Sequence, residues 1–598
     1  MPHRIASLVC CLGLVLVAVF TPTPARGQAR EGTVRVAIKG FENNVTPFTV
    51  SFQANPATND LQHLVYDSLF WSQAKADPEP WLAEKAESSE DARVWTVTLR
   101  DDVVWHDGEP FGPEDVAFSF DYYKQQAGAS GRYAHHVSDV PPFERSEIVD
   151  DKTIKLFFSA PAPQFKIMPG GDLPIIAKHV YEGVVEPNQM TTALPVGTGP
   201  FELVEIVPDQ RYRFDANEQY FKGTPLIDSL ELVVIKDPAS AFTALRTGDV
   251  DMVERNVPAE LVDQLKATNG IALAEGTRFE STQLYFNARK PPLSDATLRK
   301  AITMGLDLGA LVDTVLLGQA RPGRDTYLHP DSPWAVDDAG HDHDAAAAAK
   351  LLDDAGFATK GADGVRTGRE GQRLEFSVLV SSFEPLEIRA MQLAASQLEP
   401  LGVKFNVEPL DPATLRERRQ APPGQPPTYD AYVSTLESHA HVDPDALYYF
   451  FHSPGPKGFG GAITGYANAS YDELVEEATT APTPERLRLL AEAQEILARD
   501  MPLQVLWYPD GIWAYRPAAF DGWASDPGHG IFTKRSFLPG YEEIAVERAA
   551  ANDDGAVATG VEDAGTSVAP FLIGAVALAL VVLGAIVLSR RRNAPEEE

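Results

Sequence analysis

The chain has 598 residues, 44% of them hydrophobic and 23% charged, values ordinary for soluble globular material and a length too great for one core, so several domains are expected. A formal net charge of −34, from 85 acidic against 51 basic residues, excludes a nucleic-acid partner because nothing there would neutralise phosphates. Both cysteines, Cys10 and Cys11, fall in an apolar run near the N-terminus; once that run is removed, no thiol, disulfide or cysteine-bound metal remains.

That run, Leu8 to Phe20, follows a short start carrying Arg4 and leads through Thr21-Pro22-Thr23-Pro24 to Gly27-Gln28-Ala29. A basic start, an apolar core and a small-residue exit predict a secretory signal over 1–29, cleaved after Ala29. The alternation in Thr33–Ile38 predicts a strand, and Asn59–Phe70 a helix. Trp95–Arg100 reads as a strand, followed by a loop at Trp105-His106-Asp107-Gly108 and a helix that Pro113-Glu114-Asp115 starts with its negative charges at the positive dipole end. Further strands are expected at 154–158, 201–206, 212–215 and 230–235, with helices at 239–247, 296–305 and 308–317. Asp344 caps an alanine-rich helix that stops at Gly356. Strand 374–380, helix 386–401 and strand 403–407 form a βαβ-like unit. Helices at 471–479 and 484–499 lead into the apolar strand 503–508. The class is mixed α/β in several lobes.

Beyond Tyr541 the pattern fades, and 546–567, rich in Ala, Gly, Asp and Glu, reads as a flexible stalk. Val568 to Leu588 then runs without a charge to Ser589-Arg590-Arg591-Arg592. Some 20 apolar residues cross roughly 30 Å of hydrocarbon, so a transmembrane helix is expected at 568–588. The arginines place 589–598 in the cytoplasm and everything before the helix outside the cell.

Many blocks of the exported part resemble one family. The strongest is Val94-Trp95-Thr96-Val97-Thr98-Leu99-Arg100-Asp101-Asp102-Val103-Val104-Trp105-His106-Asp107-Gly108-Glu109-Pro110-Phe111, followed by Glu114-Asp115-Val116. Others are Tyr66-Asp67-Ser68-Leu69-Phe70, Gly197-Thr198-Gly199-Pro200-Phe201, Tyr220-Phe221-Lys222-Gly223, Ala244-Leu245-Arg246-Thr247-Gly248-Asp249 and Gly465-Tyr466-Ala467-Asn468. They are similar to the family 5 extracellular solute-binding proteins of ABC importers, which take oligopeptides, dipeptides, nickel or some oligosaccharides. The resemblance implies a periplasmic-binding-protein-like fold of two lobes closing on a ligand, with an extra domain in lobe I. Lobe I would combine 30–70, 196–284 and 509–545, the added domain 71–195, and lobe II 285–508. It also implies a monomer that binds a small-molecule or peptide ligand, meets ABC permease subunits at the membrane, needs no cofactor and is no enzyme. No H-E-x-x-H, no G-x-S-x-G and no cysteine nucleophile in the mature chain agree with that. His106 in the Trp-His-Asp-Gly loop is expected to support a turn rather than to catalyse or bind metal.

Peptide receptors of this family carry a lobe II stretch resembling YDLALxGWxADYxDP, whose Asp three residues before the final Asp-Pro pairs with the peptide's α-ammonium. Here the stretch runs from Tyr429-Asp430 to Asp443-Pro444, and the anchor position falls on His439 or Ala440. Neither is a carboxylate, so Glu437 is the candidate replacement. Arg389, near the start of the helix at 386–401, resembles the arginine with which dipeptide receptors clamp a ligand carboxylate, a task that suits a planar guanidinium. His439 and His441, two apart on a strand, would face one side and offer a metal-chelate reading. Tyr66 and Tyr285 are candidate aromatic contacts, with core packing as their alternative. A solute-sensing ectodomain without transport is the remaining alternative function.

Overall fold

The computed structural model describes residues 31–40, 45–48, 57–71, 78–126, 143–190, 193–277, 279–336, 340–419, 427–437, 444–453, 464–526, 530–541 and 547–548. The expected signal at 1–29, stalk at 546–567 and membrane helix at 568–588 lie outside them, apart from the two residues 547–548. Among the described residues no helix is long and apolar enough to cross a membrane.

Three sheets organise these residues. Lobe I is built on an eight-stranded sheet in the order Glu547–Arg548, Ala272–Gly276, Gly511–Tyr515, Met252–Val253, Glu31–Ile38, Ile227–Val234, Arg211–Ala216, Phe201–Val207. The added domain is a four-stranded antiparallel sheet, Ala83–Ser88, Val94–Leu99, Thr153–Phe158, Phe143–Ile148. Lobe II has a six-stranded sheet ordered Ala320–Pro322, Leu503–Pro509, Glu280–Phe286, Ala431–Glu437, Glu375–Ser381, Lys404–Leu410. The chain passes between the two large sheets twice, from Gly276 to Glu280 and from Pro509 to Gly511. Sheet membership thus puts the first crossing at 277–279, a few residues before the expected boundary at 284.

Side-chain alternation explains why lobe II is covered on both faces. Along Glu280–Phe286 and Ala431–Glu437, Leu284, Phe286, Ala431 and Val433 join one apolar cluster, with Ala390, Met391 and Ala394 of the helix Pro385–Leu398. Tyr285 and Tyr432, which point the other way, join a second cluster with Leu447, Leu489 and Leu497. Successive residues of a strand face opposite sides, so a sheet apolar at every position requires cover on both.

Most expected elements are present, with shifts at their ends that have local causes. Asp344 accepts from the Ala347 N–H at 2.8 Å, the helix Ala345–Asp354 follows, and Gly356 ends it at φ 94°. The expected helix at 386–401 stops at Leu398 and tightens into a 3-10 turn over Glu399–Leu401, since Pro400 has no N–H to donate and disfavours helical geometry in the residue before it. The expected helix at 59–70 is shorter, Ala57–Val65. Its chain leaves the helix at Tyr66 and carries Asp67 into the centre of the molecule.

Asp67 is wholly buried, and so is Lys534, 467 residues further on, whose Nζ donates to its Oδ1. Trp81 Nε1 at 2.7 Å and Tyr220 OH at 3.1 Å donate to the same oxygen, and Thr198 Oγ1 donates to Oδ2 at 2.9 Å. The ammonium lies 4.4 Å from the ring centre of Trp71 and 4.5 Å from that of Trp81. Burial pulls Lys534 below its ordinary pKa, and Asp67 opposes that pull. The Gly197-Thr198-Gly199-Pro200 stretch is a close crossing rather than a phosphate cradle. A Cβ on Gly197 would stand 1.8 Å from the Val65 carbonyl oxygen, and one on Gly199 2.5 Å from that of Leu64. Removing one partner of a buried pair strands the other charge, which costs about 3–5 kcal/mol. Asp67→Asn and Lys534→Met are each expected to lose stability on that scale in urea unfolding, and the double variant to lose clearly less than the sum.

Candidate functional site

In open α/β sheets, ligands settle outside the carboxyl ends of the strands. In lobe II those ends belong to Glu375–Ser381, Lys404–Leu410 and Ala431–Glu437, which run parallel. Glu437 closes its strand opposite Glu280, the first residue of the strand that has just crossed from lobe I. The carboxyl end of the sheet therefore abuts the junction of the two lobes.

A carboxyl group is buried at this end. Glu387 is 5% exposed on the first turn of the helix Pro385–Leu398, and its Oε1 accepts from Thr435 Oγ1 at 2.9 Å. Thr435 Oγ1 lies 2.7 Å from Thr282 Oγ1 on the neighbouring strand. With the Thr435 proton committed to Glu387, Thr282 is the donor in that pair. Burial raises the Glu387 pKa to about 7; Thr435 and Arg419 pull it down and Glu384 pushes it up, none of them enough to offset the loss of water.

Across the sheet stands a cation. Arg419, the last residue of the helix Pro412–Arg419, holds its guanidinium carbon 4.5 Å from the ring centre of Tyr432. That ring is stacked on Tyr285, its partner in register, at 4.8 Å and 12°. The preceding Arg418 is paired with Glu408 at 3.5 Å; among the described residues no carboxylate is within ion-pair distance of Arg419. A buried carboxyl group, Glu387, and a guanidinium, Arg419, thus stand across the lobe II sheet from each other with no ion pair between them.

Of the residues singled out in the sequence, Arg389 is exposed on the same helix as Glu387. A helix turns about 100° per residue, so two residues apart they face nearly opposite ways, Arg389 to water and Glu387 inward. Glu437 has its backbone in the sheet, but its side chain lies outside the described set, as do His439 and His441 altogether. Tyr285 is 5% exposed, its hydroxyl donating to Gln283 Oε1, and one ring face is covered by Tyr432. Tyr66 is wholly buried with its hydroxyl 3.3 Å from that of Tyr181, and presents no surface to a solute. His106 is held in its turn by backbone: Nε2 lies 3.0 Å from the Gly199 carbonyl oxygen, and Nδ1 accepts from the Gly197 N–H at 3.3 Å. Burial keeps its pKa below the ordinary histidine value. Among the described residues no three histidine, aspartate, glutamate or cysteine side chains are grouped as a metal would require.

Sequence reasoning passed over Glu387 and Arg419. Glu387 had a legible signal: with Ala390, Met391, Ala394 and Leu398 it completes the apolar stripe of its helix, where a carboxylate is out of place. Arg419 sits in a run of charges, Arg416-Glu417-Arg418-Arg419, where nothing in the spacing separates it from its neighbours.

Residues 77–459 match the family model of bacterial extracellular solute-binding proteins, family 5 Middle. The chain belongs to that family. It is 22% identical over 560 residues to the oligopeptide-binding protein AppA of Bacillus subtilis, covering 89% of this chain and 98% of the relative. The crystal structure of the ABC transporter substrate-binding protein CtaP from Listeria monocytogenes superposes with a TM-score of 0.73 at 23% identity, over 85% of this chain and 99% of that one. NikZ from Campylobacter jejuni, in complex with Ni(L-His), gives 0.70 at 22% identity over 83% and 97%. At these identities the structures show the shared α/β periplasmic-binding-protein-like fold.

The Glu387 pKa gives stability a definite pH dependence. Raised from the ordinary 4.5 to about 7, the group keeps its proton in the folded chain after the unfolded chain has lost it. Stability from this site is thus full below about pH 4.5 and declines as pH rises through about 7. Glu387→Gln removes the ionisation, so its stability relative to the parent should rise across that window by at most roughly 3 kcal/mol. Urea midpoints measured at both ends of the window test it; parallel pH profiles for the two proteins would refute it.

Proposed function

We propose that this chain is the exported solute receptor of an ABC importer, tethered to the outer face of the membrane by 568–588 and delivering a peptide or peptide-like solute to the permease subunits. The observation that carries the reading is the strand order: the two large sheets are joined by two short crossings, the connection of a hinged pair of lobes. Such a receptor works by binding its solute more tightly in the closed than in the open state. The tail raises the receptor's effective concentration at the permease without adding a contact to it.

The peptide reading is favoured by the charges beside the junction. A buried carboxyl group at Glu387 and a guanidinium at Arg419 match the two ends of a zwitterionic chain, and Glu437, with His439 and His441 following it in the sequence, supplies further candidate contacts. Arg389 serves as an outer contact for a solute carboxylate, while Tyr66 and Tyr285 act through packing. A nickel chelate, bound by the neighbour NikZ, is the second reading, supported by the two histidines beyond Glu437. The signal at 1–29 and the tail at 568–588 give an extracellular globular part on a single-pass anchor.

A thermal-shift series on the full chain separates the readings, with a casein digest, nickel with excess histidine, and a manno-oligosaccharide as probes. A ligand at 100 times its dissociation constant adds about 2.7 kcal/mol to the folded state. The digest is expected to raise the melting temperature and the other two to leave it unchanged. Stabilisation by nickel–histidine alone would replace the peptide reading with the metal-chelate one, and a manno-oligosaccharide response alone would replace both.

A further inference from the structure

Apart from the two crossings, the described residues include a further bridge between the halves, in the segment 162–168 of the added domain. Its stem is fixed to the added-domain sheet, where Trp95 Nε1 donates to the Ala162 carbonyl at 2.9 Å and the Ala162 N–H to the Ala92 carbonyl at 2.8 Å. Phe165 turns inward against Trp95 and Phe158, with ring centres 5.1 and 5.8 Å apart. The residues flanking it reach across to lobe II. Gln164, 7% exposed, donates from Nε2 to the carbonyl of Ala481 at 3.2 Å, in the loop between the lobe II helices Ala469–Ala478 and Thr483–Asp500. Ile167 and Met168, 4% and 8% exposed, are part of the apolar cluster whose every other buried member lies in lobe II.

These contacts differ in kind from the pairing of a solute with the cleft. They are made by the protein alone, they bury two large apolar side chains, and they join a rigid sheet on one side to a helical loop on the other. A body that opens about 277–279 and 509–511 while keeping its sheets intact must uncover Ile167 and Met168 and break the Gln164 bond. We infer that 164–168 is a clasp that holds the lobes together in the absence of solute and so sets the open-to-closed ratio from which every ligand affinity is drawn. A clasp of this kind raises apparent affinity by raising the fraction of receptor already in the binding-competent state, without touching the ligand. The inference goes beyond the receptor reading and does not depend on which solute is carried.

The test needs no ligand. In the full chain with Cys10→Ser and Cys11→Ser, the only thiols are those introduced. Lys85→Cys on the added domain and Lys350→Cys on lobe II, both well exposed, take a pair of spin labels. The interlabel distance distribution is then recorded without solute, alone and with Gln164→Ala, Met168→Ala or Ile167→Asp. The parent should give a narrow, short distribution. Gln164→Ala should raise the longer-distance component about fivefold, the factor that loss of one buried hydrogen bond of ordinary strength amounts to. Ile167→Asp should make the longer component dominant. The two alanine variants decide the matter if Ile167→Asp fails to fold, a point read from near-ultraviolet circular dichroism. Distributions unchanged in the alanine variants, or a parent already as long and broad as they are, overturn the clasp.

Discussion

Asp67 and Lys534 lie 467 residues apart in the chain and meet where no water reaches either. A bare ion pair in that position repays its desolvation poorly. What makes this one tolerable is the rest of its shell: an indole N–H, a phenol and a threonine hydroxyl on the carboxyl group, and two indole faces against the ammonium. Each of these groups arrives on a different piece of chain. Trp71 and Trp81 come from the entry to the added domain, Thr198 from its exit, Tyr220 from lobe I and Lys534 from the returning C-terminal segment. The network therefore specifies how four separated segments, 67–81 and those carrying Thr198, Tyr220 and Lys534, come together, and a segment that misses its place leaves a buried charge without its partners.

That constraint makes sense of several sequence blocks that look like sites and are not. Tyr66-Asp67-Ser68, Gly197-Thr198-Gly199-Pro200 and Tyr220-Phe221-Lys222-Gly223 all feed the same shell, while Trp105-His106-Asp107-Gly108 locks onto it from outside through the backbone of Gly197 and Gly199. Their chemistry is spent on holding the added domain to lobe I. The apolar clusters agree with this: residues of the added-domain sheet and of the lobe I sheet fall in one continuous core, whereas the buried clusters of lobe II take in only Ile167 and Met168 from outside it. The added domain is thus packed far more extensively on lobe I than on lobe II.

Much of this organisation was legible in the residues. Period-two alternation marked the strand Thr33–Ile38 and a continuous apolar run the strand Leu503–Tyr508, Asp344 and Gly356 bracketed their helix, and the block order identified the family. Less visible was the strand Glu280–Phe286, whose mixture of Thr, Gln and Leu carries no alternation because it is covered on both faces. Its position moved the lobe boundary to 277–279. The Ala57–Val65 helix ended early for a reason no local pattern holds, since Asp67 is drawn away by a lysine 467 residues distant. At the site, Arg389 stood out through its likeness to the arginine of dipeptide receptors, yet it is exposed, whereas the buried Glu387 of the same helix was passed over. The residues on which the anchor question turned, Glu437, His439 and His441, have side chains outside the described set, so their proposed part rests on the sequence alone.

Glu387 also bears on how a receptor without the family's usual carboxylate would hold a cationic group. A fully ionised carboxylate waiting in a nearly dry site carries its desolvation cost in the empty state, whereas one with a pKa of about 7 is close to balanced between charged and neutral forms near neutral pH. An arriving ammonium would supply the missing counter-charge, drive the group to its ionised form and expel a proton on binding. Under the proposed function the charge is thus switched on by the solute that needs it. Thr435 and Thr282 suit that change, because a hydroxyl chain that already donates to Glu387 serves both forms with no rearrangement of the sheet.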